Sequence, residues 1–215
     1  MRRTVFFLAF LLAGHISWAQ QLWVISTYAG GGPNHAALNG SVGIVYGGVA
    51  TDPAGNVYIS SESDANSIFE VAGGNVFRVA GANTSSGIYL GDGVPATLAV
   101  LPSVRDVGVD ASGLIFIPDW VTNHIYKVDT NGIITTIAGN GAVSPGTLHN
   151  CGFDGDGPAL QHSLCWPSQV LPDGQGNVLV ADAGNCIVRK IDSAGNMTTV
   201  AGVGPTVYGT CLAYD

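Results

Sequence analysis

The sequence predicts an all-β fold, a β-propeller of four-stranded blades, and three observations carry that expectation. Residues 177–202, NVLVADAGNCIVRKIDSAGNMTTVAG, read as three short strands split by two turns. The same pattern recurs at 56–81 (NVYISSESDANSIFEVAGGNVFRVAG) and at 114–139 (LIFIPDWVTNHIYKVDTNGIITTIAG). Each copy follows an apolar strand that ends in Asp and a turn: GGVATDPAG at 47–55, DVGVDASG at 106–113 and SQVLPDGQG at 168–176. The anchors Asp52, Asp110 and Asp173 lie 58 and 63 residues apart. Four-strand units repeated at such a period build propeller blades.

Taken in order, the chain opens on a segment that leaves the fold. Arg2 and Arg3 precede an apolar run from Thr4 to Ala13, and Ser17-Trp18-Ala19 is a small-x-small cleavage site. Residues 1–19 therefore read as a signal peptide cleaved near Ala19, which predicts a secreted or periplasmic protein. The run is too short to span a bilayer, so no transmembrane segment is expected. Residues 20–215 form the propeller segment. Residues 21–30, QLWVISTYAG, end like VFRVAG, ITTIAG and MTTVAG, and are expected to form a lone outer strand. Complete blades are expected at about 47–81, 105–139 and 168–202. The connectors between them contain GDGVPA at 91–96 and FDGDGPA at 153–159.

Turn chemistry supports the strand count. Asn131-Gly132 is a strong two-residue hairpin signal, and Gly73-Gly74 and Ala194-Gly195-Asn196 hold the matching places. The Asp-x-x-Gly after each inner strand lets a carboxylate accept turn N–H groups while Gly takes a positive φ.

Composition excludes some partners. Without residues 1–19 the chain keeps five basic and fifteen acidic residues, a formal charge of 5 − 15 = −10. A phosphate backbone is repelled by such a surface, so no nucleic-acid partner is expected. Only 10% of residues are charged while 31 are Gly, which suits a turn-rich all-β protein rather than a disordered one.

The succession GDGxPA, apolar strand, D-x-x-G-N-V-L-V-A-D-x-x-N-x-I-R-K-I-D and TTVAG resembles the NHL repeat. It is similar to the long-connector variety of exported bacterial proteins and of the teneurin propeller. The third unit matches best. The first departs from it, with Ser60-Ser61-Glu62 where Asp119 and Asp182 stand in the others. The resemblance implies a six-bladed ring, of which this chain supplies about three blades. The segment is accordingly expected to be incomplete, with self-association to complete the ring as the alternative.

Four cysteines, Cys151, Cys165, Cys186 and Cys211, are disulfide candidates in an exported chain, and spacing alone permits three pairings. Strand direction brings all four to one face and favours Cys151–Cys165 with Cys186–Cys211. A zinc site is disfavoured because no Cys-x-x-Cys occurs. The run Phe153–Gly157 suggests calcium only weakly. A tight turn whose Asp bonds its own backbone is the simpler reading of Asp154, Asp156 and Asp92. Asp119 and Asp182, followed by Asn123 and Asn185 and matched by Asn66, recur from blade to blade and read as loop-closing residues. His35, His124, His149 and His162 fall in no known catalytic pattern. Arg189 and Lys190 should point to opposite faces of their strand. Trp23, Trp120 and Trp166 are candidates for blade packing, and Trp120 also for stacking on a ligand.

No catalytic, cofactor-binding or metal residue is assigned. The expected role is a binding or interaction scaffold for an unknown protein or carbohydrate ligand, with long connectors forming the recognition face. The competing expectation, from the same resemblance, is part of a six-bladed metal-dependent hydrolase or lyase, gluconolactonase-like or amidating-lyase-like.

Overall fold

A computed structural model describes residues 47–62, 66–82, 92–141 and 152–204. The signal segment 1–19, the expected strand 21–30, Trp23, His35, His149, Cys151 and Cys211 lie outside the described residues. Blade 1 is β1 (Val49–Thr51), β2 (Val57–Ser61), β3 (Ser67–Ala72) and β4 (Asn75–Ala80). A short strand β5 (Val94–Pro95) precedes blade 2, which is β6 (Gly108–Val109), β7 (Ile115–Asp119), β8 (His124–Val128) and β9 (Ile133–Ala138). Likewise β10 (Gly157–Pro158) precedes blade 3, formed by β11 (Pro167–Pro172), β12 (Val178–Asp182), β13 (Ile187–Ile191) and β14 (Asn196–Ala201).

Each blade is an antiparallel meander, in the orders β1-β2-β3-β4, β5-β9-β8-β7-β6 and β10-β14-β13-β12-β11. Blades 2 and 3 thus have five strands, where the sequence predicts four. The extra strand comes from the preceding connector and pairs with the outermost strand, Val94 opposite Ile134 and Gly157 opposite Met197. Two residues are too few to show a strand period, and an acidic residue fixes the edge instead. Thr136 donates from its N–H and its hydroxyl to Asp92 Oδ1, at 2.7 and 2.9 Å. Thr199 does the same to Asp156 Oδ1, at 2.9 Å for both bonds. The expectation that these aspartates bond their own turn is corrected: they clasp the outer strand of the blade that follows. In blade 1 the position of those threonines is held by Arg78.

The D-x-x-G turns form as expected. Asp110 Oδ1 accepts the N–H groups of Ser112 and Leu114 at 2.8 and 2.9 Å, and Gly113 takes φ 83°. The recurrent Ala-Gly at the end of each outer strand has a steric cause. Gly139 has φ 88°, and a Cβ there would collide with the carbonyl oxygen of Asn123 in the loop between strands two and three.

Apolar side chains fill the seams between blades. Between blades 1 and 2 the core includes Tyr58, Ile68, Leu101, Ile117 and Ile134, and between blades 2 and 3 it includes Phe116, Ile125, Leu164, Val180 and Met197. Removing such branched and aromatic surface from water is what holds one blade on the next. The far side of blade 3 keeps the same pattern with less cover. Phe116 and Ile125 are buried against blade 3, whereas their counterparts Leu179 and Val188 are half-buried and Leu171 is 62% exposed.

Candidate functional site

Antiparallel alternation puts the connectors and the loops between second and third strands on one face. Two buried carboxylates tie them together. Asp119, at the end of β7, accepts Val121 and Thr122 N–H at 3.0 and 2.9 Å on one oxygen and Ser103 N–H at 3.2 Å on the other. Asp182, at the end of β12, accepts Cys165 N–H at 2.6 Å and the Asn185 amide at 2.8 Å. Burial raises both above the usual carboxylate range, against the pull of these hydrogen bonds, and brings Asp182 to about 6. Both carboxylates are buried, and their hydrogen bonds hold the face in shape.

The recurrent asparagines do more than close their own loops. Asn123, at φ 58°, accepts the N–H of Trp166 at 2.9 Å, bridging blade 2 to blade 3. Asn66, at φ 52°, donates to Pro102 O at 2.8 Å, bridging blade 1 to blade 2. Asn185 donates more weakly to Gly152 O, at 3.4 Å. Asn is among the few residues that tolerate the left-handed region, which lets one side chain serve both ends.

Across this face runs a ladder of side chains that touches all three blades. Glu62 of blade 1 pairs with Arg105 at 3.3 Å, the Arg105 guanidinium lies 4.9 Å from the Trp120 ring centre, and Trp120 stacks on Trp166 at 5.1 Å and 9°. Trp166 has φ 51°, an unfavourable conformation for a bulky residue. Packing therefore accounts for Trp120, whose ring already engages Arg105 and Trp166. Beside it, Val121 stands 62% exposed at the loop tip. Arg105 falls outside the repeat motif, so no sequence signal singled it out.

Arg189 is fully buried on β13 while Lys190 beside it is half-buried, as strand alternation requires. The Arg189 guanidinium donates to Gly155 O at 2.7 Å, pairs with Asp156 at 3.3 Å and lies 5.2 Å from the Phe153 ring centre. It pins the connector rather than contributing to a basic patch. Asp154 accepts Ser163 N–H at 2.9 Å and faces His162 Nδ1 at 3.2 Å. The carboxylates once suggestive of calcium thus each have their own protein partners. Among the described residues no three His, Cys, Asp or Glu side chains group as a metal site. His124 is half-buried with its pKa lowered by burial. Cys165 is buried and Cys186 half-buried, and neither is a free thiol.

Along the inner strands lies a cavity of about 710 Å³ lined by residues of all three blades, including Gly48, Asp106 and Gln169. Asp106 accepts Val170 N–H at 3.0 Å, and a Cβ at Gly48 would collide with its carboxylate. Its pKa is raised by burial. Counting back from the anchors Asp52, Asp110 and Asp173, its counterparts are Gly48 and Gln169. A single-copy carboxylate at an inner-strand start was the signal that could have exposed it.

Three antiparallel blades packed face to face around inner strands define a partial β-propeller. A Bacteroides thetaiotaomicron protein of unknown function shares this fold, with a TM-score of 0.51 at 21% identity over 68% of this chain and 33% of that one. Mouse teneurin-4 is 30% identical over 167 residues, 72% of this chain and 6% of that protein. Mouse teneurin-1 is 36% identical over 103 residues, 43% of this chain and 4% of its own length. The chain therefore spans only a few per cent of these relatives. No family model matches. The blade motifs and these relatives together place the chain in the NHL-repeat β-propeller family. Among the described residues no helix is long and apolar enough to cross a membrane.

Proposed function

We propose that the chain is an exported scaffold whose connector face binds a protein or carbohydrate partner. One observation carries this reading: the ladder Glu62–Arg105–Trp120–Trp166 runs across three blades, and its last member is held at an unfavourable φ by Asn123. Backbone strain retained by a network of buried anchors marks a surface kept for its shape. Loops on a rigid frame are where such proteins carry recognition. Residues 1–19 act as the removed signal, and disulfides Cys151–Cys165 and Cys186–Cys211 fasten the same face. The exposed Leu171 on the far side of blade 3 supports completion of the ring by further blades, with a second copy as the other source.

The enzyme reading draws on Asp106 alone, a half-buried carboxylate in the inner cavity without an equivalent in the neighbouring blades. Glycan and surface-protein arrays probed with residues 20–215, expressed under oxidising conditions, separate the two readings. A ligand lost in Val121→Asp at unchanged melting temperature supports the scaffold. Hydrolysis or elimination abolished by Asp106→Asn overturns it. Light scattering on the same sample reads the solution mass: a cooperatively melting dimer favours closure by a second copy, and an aggregating or loosely folded monomer favours further blades.

A further inference from the structure

We propose that the groove between blades 2 and 3, on the face opposite the connectors, binds a small carboxylate with an apolar body. The seam between blades 1 and 2 shows what closes such a groove. There the Tyr58 hydroxyl lies 3.1 Å from Glu70 Oε1 and 3.4 Å from Asp52 Oδ2, and the remaining cavity is about 380 Å³. Strand register puts Phe116 opposite Lys127 in blade 2, where blade 1 has Tyr58 opposite Glu70. Phe116 has no hydroxyl, and Lys127 replaces the carboxylate that received one. The groove that results is about 540 Å³, within the ordinary size of a small-molecule site.

Its chemistry selects the ligand. Phe116, Val178 and Ile191 line the apolar part, and Leu160, 55% exposed, lies along it where Thr97 lines the neighbouring seam. The two acidic groups on the rim are already engaged. Asp110 accepts Ser112 and Leu114 N–H, and Asp192 accepts Ala194 and Asn196 N–H, the latter pair at 2.9 and 2.8 Å. The half-buried Lys127 ammonium makes no hydrogen bond or close ion pair among the described residues; its charge acts on Asp129, whose carboxylate is held by Asn131 and Ile133 N–H at 2.9 Å each. A carboxylate placed on it makes a charge-assisted bond, while the ligand's apolar body covers Phe116 and Leu160 and excludes water. This site is independent of the connector-face reading.

Decanoate, kept below its micelle-forming concentration, is the probe, and calorimetry with saturation-transfer NMR on the full chain is the readout. Saturable binding is expected, and it should weaken about tenfold in Lys127→Gln, as loss of one charge-assisted bond requires. The double variant Phe116→Tyr/Lys127→Glu rebuilds the closed arrangement of the neighbouring seam, so it should abolish binding without lowering the melting temperature. Absence of saturable binding to the native protein overturns the proposal. So does equal affinity in the double variant, or in Lys127→Gln if the double variant fails to fold.

Discussion

The side-chain oxygen of Asn123 accepts the backbone N–H of Trp166 at 2.9 Å, joining two blades through residues 43 positions apart. The same asparagine occupies φ 58° and is buried. Two effects are therefore separable by mutation. Asn123→Gly keeps the backbone at ease but leaves a buried N–H without its acceptor, at a cost of about 1–3 kcal/mol. Asn123→Ala adds strain in the left-handed region, about 1 kcal/mol more. Urea titrations should rank native above the Gly variant and the Gly variant above Ala. Equal stability of native and Gly forms would show that the bridge contributes nothing.

The aspartate clasps on the outer strands allow a paired test. Thr136→Val and Thr199→Val each remove a hydroxyl bond from an exposed clasp, so each should cost about 0.5–1.5 kcal/mol. Partial burial raises the Asp156 pKa, but bonds from Thr199 and the Arg189 charge outweigh it and hold the carboxyl below its ordinary value. With those partners in place, millimolar calcium should leave the melting temperature where it was. A calcium-dependent rise lost in Asp156→Asn would reinstate a metal at this turn.

Arg189 occupies the register position of Tyr126 in blade 2 and Phe69 in blade 1. Arg189→Tyr should therefore be neutral or stabilising, because a well-packed apolar group avoids the desolvation of a buried charge. Arg189→Ala should cost about 3 kcal/mol or more, through the packing lost around a fully buried side chain. Thermal melts of the two variants decide the matter, and a Tyr variant as damaged as Ala would contradict it.

Stability should depend on pH through Asp182. Its native pKa is about 6 against an ordinary 3.8, with burial the leading cause. Between those values the native state binds more protons than the unfolded chain, so stability falls as pH rises from about 4 to about 6. Exposed carboxylates act in the opposite sense at lower pH. The backbone bond from Ile133 lowers Asp129, the Asn177 amide lowers Asp173 and the Asn196 N–H lowers Asp192, and their support is lost as pH drops below about 4. The melting temperature should peak near the acid end of the upper window and decline toward neutrality. Asp182→Asn should flatten that decline, and an unchanged slope in the variant would place its origin elsewhere.

The blade pattern was legible because local chemistry writes it: Asp-x-x-Gly turns, hairpin glycines and β-branched strands each need only a few adjacent residues. Asp119 and Asp182 were legible as structural for the same reason, since they recur. What escaped notice depends on partners far along the chain. β5 and β10 are two residues long, and their pairing joins residues far apart in sequence, with an aspartate beside each meeting a threonine 44 or 43 positions later. Arg105 and Asp106 have no like residue at the matching place in the other blades, and their roles come from Trp120 and Val170 far along the chain.

The edge strand drawn from each connector has a consequence for how the chain is made. A ribosome delivers β5 before any other strand of blade 2, and β10 before any other strand of blade 3. Each therefore emerges with no partner and waits until the last strand of its blade appears. The outermost edge is begun first and sealed last, so a blade released early would have a frayed rim. Slow or interrupted translation between Pro158 and Asn196 should be the interval in which nascent chains are most exposed to mispairing.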